Sequence, residues 1–185
     1  MSTTALYAEL IVIGTGAAIS ILLLFYCLTG DSSLLVKLGE LTPLVSAIPI
    51  VSIIYLLGVI NSNLGHLVFK PFEKRMNCHA LAKSYGEIRN TIQTSPHTDL
   101  IDDFHFRRTK IRICRGWFIN SFLIIVALFI GACKGHIGPL MARFWIPAIG
   151  LLMIATVVSW WNSTDSELDS LGFFDKGYTT LIKEV

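Results

Sequence analysis

Apolar and charged residues are segregated along this chain into long blocks, with no helical or strand-like alternation inside the apolar ones. Residues 10 to 30, 41 to 69, 117 to 133 and 144 to 164 contain no Asp, Glu, Lys or Arg and are rich in Leu, Ile, Val, Phe and Ala. A hydrocarbon layer of about 30 Å is crossed by roughly 20 helical residues. A surface helix of a soluble protein would carry a polar face, which these blocks mostly lack. They predict four transmembrane helices at about 9–30, 42–66, 116–134 and 143–161, the third completed by Gly116 and a snorkelling Arg115. The expected fold is all-α and polytopic: an N-terminal transmembrane hairpin over 1–69, a basic cytoplasmic helical hairpin over 70–115, a C-terminal transmembrane hairpin over 116–161, and an acidic cytoplasmic tail over 162–185.

Local signals refine these elements. Ser2, Thr3 and Thr4 offer caps for a helix starting near Ala5, with Glu9 in its first turns. Small residues four apart, Gly14 with Ala18 and Gly16 with Ser20, make a flat packing face on the first span, and Ala127 with Gly131 repeats the device on the third. Gly30 to Ser33 breaks the first helix, and Pro43 opens the second. Pro49 is expected to kink that second helix, and Pro71 to break the chain before the cytoplasmic pair. Leu81, Tyr85, Ile88 and Ile92 mark the apolar edge of the first cytoplasmic helix. Thr94 to His97 form a turn, and Thr98 caps a second helix, acidic at its start and basic at its end, able to run straight into the third span. Trp145, Trp160 and Trp161 stand at the two interfaces of the fourth span.

Composition agrees with this pattern: 53% of the 185 residues are hydrophobic and the mean hydropathy is +0.63. Charge adds direction. Ten of the 15 Lys and Arg residues lie between Lys70 and Arg115, so the positive-inside rule places that segment and both termini in the cytoplasm, taken here as that of a bacterial cell bounded by its inner membrane. Met1 to Glu9 carries no Lys or Arg and precedes no cleavage signal, so the first span is expected to be retained. The acidic tail could fold back on the basic segment.

Candidate chemistry is sparse. Ser52, Tyr55, Ser62 and His66, flanked by Asn63, share an arc of roughly 80° on the second helix and form a polar stripe that lines a pore or bonds neighbouring helices. Arg107, Arg108, Lys110, Arg112 and Arg115, interleaved with apolar residues, read as an orientation signal and a contact for anionic lipid or a soluble partner, ahead of nucleic acid. Cys27 and Cys133 fall at the outer ends of their spans, where a disulfide is geometrically possible and packing is the plainer reading. The histidines have no zinc spacing, and the Asp165, Glu167, Asp169 series has Ser170 and Lys176 where a calcium loop needs glycine and glutamate, so neither metal nor cofactor is expected. His105 beside Asp102 and Asp103 has no nucleophile near it in sequence. A coupled transporter or membrane enzyme would carry a deep carboxylate or clustered polar residues, and only Glu9, at an inner edge, comes close. The expectation is a non-enzymatic, self-associating scaffold or pore-like assembly whose cytoplasmic helices meet a soluble partner. In layout alone the chain also resembles small four-pass subunits of bacterial anti-phage systems, such as the membrane subunit of Kiwa, which implies a membrane-perturbing effector as the alternative; a small membrane enzyme or transporter is the last choice.

Overall fold

The computed structural model describes residues 3–31, 33, 43–80 and 98–183. Every regular element among them is an α-helix: α1 (Thr3–Thr29), α2 (Pro43–Ala80), α3 (Thr98–Cys133) and α4 (Pro139–Lys183). Each contains a stretch long and apolar enough to cross a membrane, at Leu6–Thr29, Pro49–Glu73, His105–Cys133 and Pro139–Glu167.

Three boundaries differ from the sequence expectation. First, α2 continues as one helix through Pro71 to Ala80, with Pro49 inside it as expected of a helix proline. A proline removes one backbone hydrogen bond, and here the turn before Pro71 is held by packing, since the Phe69 ring lies 4.6 Å from Trp160 and 5.2 Å from Phe118. Second, α4 starts at Pro139, where the missing N–H costs nothing at a first helical position. Third, the acidic tail prolongs α4 in the same direction, and its start meets the basic segment there, Glu167 beside Arg108. The expected run from Thr98 into the third apolar stretch is observed as the single helix α3. The first arm of the expected cytoplasmic hairpin, Leu81 to Ile92, lies outside the described residues.

The turn between α3 and α4 is built around Gly135, whose φ of 74° is the left-handed conformation glycine adopts without strain. The N–H of His136 reaches the carbonyl of Gly131 and that of Gly135 the carbonyl of Ala132, the paired bonds of a Schellman ending. This turn also closes the end of α1. Lys134 Nζ donates to the Leu28 carbonyl at 2.7 Å and His136 Nδ1 lies 3.1 Å from the Cys27 carbonyl, so two carbonyls left over at the negative end of α1 are covered from another element. Cys27 and Cys133 are both free thiols, the first buried and the second exposed.

Packing is uneven. Helix α3 touches all three others, α1 packs on α2 and α3, and α4 rests on α3 with only a small contact to α2. The buried core accordingly lies mostly on α1 and α3, with Phe69 of α2 and Ala142 and Trp160 of α4 joining it, while α4 shows Leu140, Phe144, Leu151, Ile154 and Val158 outward.

Midway along the bundle, three helices are joined by polar groups. Asn120 on α3 donates from Nδ2 to the Ile13 carbonyl at 3.1 Å and accepts from Asn61 Nδ2 at 2.8 Å. Asn61 also reaches the Gly116 carbonyl, and the Ser20 hydroxyl donates to the Asn120 carbonyl. Asn61, Asn120 and Ser20 are all buried. Buried amides of this kind are stable only when satisfied, and each interhelical bond in such a setting contributes about 0.6 to 1.7 kcal/mol. Asn120→Ala should therefore lower stability by about 1–2 kcal/mol, and in the Asn61→Ala background it should cost measurably less. Thermal unfolding of both single variants and the double in detergent checks this; strictly additive losses would show that the two amides do not act together.

Candidate functional site

The basic run on α3 divides by helical geometry. Arg108, Arg112 and Arg115 recur at four and three residues and share one face, whereas Arg107 and Lys110 point about 100° and 160° away from Arg108. The first face turns inward, and each arginine on it meets a carboxylate from a different helix.

Arg112 Nε lies 2.7 Å from Glu9 Oε1 of α1. Arg115 Nη2 pairs with Glu73 Oε1 of α2. Arg108 Nε is 3.7 Å from Glu167 Oε1 of α4. His66, two turns before Glu73 on α2, joins the second pair: its Nδ1 is 3.3 Å from Arg115 Nη1 and 4.0 Å from Glu73 Oε2. The three arginines, Glu73, Glu167 and His66 border a cavity of about 450 Å³, completed by Ser62, Asn63, Ile111 and Thr164. Three guanidinium groups against two carboxylates give its lining a small positive excess, and with Glu9 pairing Arg112 from α1 the three ion pairs form an electrostatic clamp across four helices.

Burial grades the three pairs. The Glu9 side chain is only 1% exposed, that of Glu167 8% and that of Glu73 18%. Two ions taken out of water repay their desolvation only with close geometry, and the most buried carboxylate has a short contact. Beside the cavity, Phe69, Ile111, Cys114 and Trp160 make an apolar cluster from α2, α3 and α4 that excludes water from one flank.

The polar stripe on α2 is split by this arrangement. Ser62, Asn63 and His66 line the cavity. Ser52 is exposed, and Tyr55 instead sets its ring 5.3 Å from that of Tyr7 on α1. The small residues lie inside the bundle: Gly14 faces the α2 backbone at Ile54 and Gly58, Gly16 faces the Asn120 side chain, and Gly131 faces Cys27 and Ile137. Ser20 and Ala127 are buried and Ala18 is half-buried. Of the remaining cations, Arg107 donates through Nη1 to the Ser166 carbonyl and hydroxyl, at 2.7 and 2.6 Å, and the Lys110 ammonium sits 5.7 Å from the Phe106 ring centre.

Sequence reading missed the acidic half of the clamp. Glu73 was one letter in a Glu-Lys-Arg triplet behind a presumed break at Pro71. Once the helix is continuous, His66 and Glu73 are seven apart and share a face, which is the signal that could have found the pair. Glu9 and Glu167 gave no comparable cue, because their partners are set by which helices become neighbours. Among the described residues no group of three or more His, Cys, Asp or Glu side chains could hold a metal ion.

Among the described residues the fold and the clamp together define four helices of membrane-crossing dimensions, braced by ion pairs at one end and by buried amides at their middle. No protein-family model matches this chain, and neither a curated protein nor a solved structure is found to match it.

Proposed function

We propose that the protein is a non-enzymatic integral membrane subunit that assembles with copies of itself into a scaffold or pore-like complex and engages a soluble partner through the segment joining α2 to α3. The clamp lies on the cytoplasmic side, where the excess of Lys and Arg belongs. Because α3 is one helix from Thr98 to Cys133, a partner acting on its cytoplasmic start moves the arginines that grip the other three helices. This is how a small charged segment can influence the packing of the whole bundle.

The observation that carries self-association is the asymmetry of packing. The small-residue faces of α1 are spent inside the monomer, while α4 turns a long apolar face outward. Near the middle of the membrane-crossing stretch of α4 stands Gly150, with nothing within 4 Å of where a Cβ would be. A glycine inside a helix costs about 1 kcal/mol relative to alanine, and in membrane helices such residues sit where another helix comes close. A second copy of the chain is the partner that fits this position.

Mass in detergent tests the reading. Wild type should run as a multiple of 20.5 kDa after subtraction of detergent, and Gly150→Trp should shift it toward the single-chain mass without lowering the unfolding temperature. A wild-type chain that is a monomer at every concentration would overturn self-association. Ion flux from vesicles containing the assembly then separates a pore, or a membrane-perturbing effector, from a closed scaffold.

A further inference from the structure

The outward cations of α3 border a second concavity. Arg107 and Lys110 face Ser159, Asn162, Ser163 and Ser166 of α4 across a groove of about 610 Å³. Its chemistry is the reverse of the clamp's. The described residues that line it include two cations, three hydroxyls and an amide, and no carboxylate. Its floor is apolar, formed by Ala155 and Val158, with the Phe106 ring at one side.

Its level in the molecule suits one kind of occupant. The outward apolar face of α4 runs through Leu151, Ile154 and Val158 and ends with Trp161, the residue type that marks a lipid–water boundary. The groove therefore has its apolar floor on the hydrocarbon side of that boundary and its cations and hydroxyls on the aqueous side. Arg107 is steadied by its two bonds to Ser166, which preorganises a planar donor for phosphate.

On this placement, which rests on the membrane reading above, we propose that the α3–α4 groove binds an anionic phospholipid: Arg107, Lys110 and the α4 hydroxyls hold the headgroup phosphate, and an acyl chain lies along Ala155 and Val158. The site sharpens the role of the basic run, dividing it into three arginines that close the bundle and two cations that hold lipid.

Native mass spectrometry of the full chain in neutral detergent tests the site, with phosphatidylglycerol and phosphatidylcholine as probes. Wild type should retain phosphatidylglycerol in preference. R107Q/K110Q should weaken that retention about 30-fold, the effect of losing two cations near an anionic headgroup, while Arg143→Gln, at the opposite end, should leave it unchanged. Val158→Trp fills the floor without touching a cation and should also reduce retention, which keeps the test decisive if the double variant folds poorly. Equal retention of the two lipids, or undiminished retention by both groove variants, would overturn the proposal. So would full displacement by millimolar inorganic phosphate with no effect of Val158→Trp, since the site would then take free phosphate. A chain that needs detergent for extraction yet shows no lipid preference would leave the membrane reading standing and remove this inference alone.

Discussion

Arg112→Leu, with Glu9 left in place, should lower the unfolding free energy by about 3–5 kcal/mol, the usual cost of stranding one member of a buried ion pair. The two ends of this pair are not equivalent. The Glu9 side chain is almost wholly enclosed, whereas that of Arg112 is 34% exposed. Removing the arginine abandons a carboxylate where water cannot reach it. Removing the glutamate leaves a long flexible cation that can turn toward solvent, so Glu9→Leu should cost less, about 1–2 kcal/mol. The double variant, with both positions leucine, should recover most of the loss seen in Arg112→Leu, because apolar side chains of similar volume often replace a buried pair without penalty. Chemical unfolding of the three variants in detergent gives the cycle. Equal losses from the two single changes, or a double variant whose loss is their sum, would show that Glu9 is not held by Arg112.

That asymmetry also marks how far the sequence could be read. The four apolar helices were legible because their signal is local: a charge-free run of sufficient length specifies a helix of membrane-crossing dimensions whatever surrounds it. The continuity of α3 was legible for the same reason, from Thr98 as a cap and the acid-to-base order behind it. Pro71 misled because its local effect, one lost hydrogen bond, was weighed without the packing of Phe69 beside it against Phe118 and Trp160. Charge misled more deeply. A run such as Arg107 to Arg115 looks like surface in one dimension, and its true division depends on a helical phase combined with the identity of the neighbouring helices. Glu9 illustrates this: it was noticed as the one acid near a span, yet only the approach of α1 to α3 makes it the counter-ion of Arg112. Asn61 and Asn120 stand in apolar runs beside other polar residues, Ser62 and Asn63 in one and Ser121 in the other, and their mutual bond requires the rotation of two helices, which no spacing within either one encodes.

The close approach of the α1 and α2 backbones gives the second large effect. A Cβ at Gly14 would stand 1.8 Å from the Ile54 carbonyl oxygen, and one at Gly58 would stand 2.0 Å from the Leu10 carbonyl oxygen. Both obstacles are backbone, so no side chain can rotate away, and α1 and α2 would have to separate along their shared face. Overpacking a core that can adjust costs about 1–3 kcal/mol; here the adjustment is loss of the interface itself, and Gly14→Ala should exceed that range, with Gly14→Leu failing to accumulate as folded protein. Gly16→Ala should fall between, because its Cβ would meet the Asn120 side-chain nitrogen at 2.3 Å, an atom able to move at the expense of its bond to Ile13. Gly138→Ala, with open space around it, should change stability by less than about 0.5 kcal/mol. Unfolding temperature and folded yield in detergent rank the four variants. A Gly14→Ala chain as stable as wild type would mean that the two backbones do not approach as closely as this packing requires, and the small-residue face of α1 would then be free for contacts between copies.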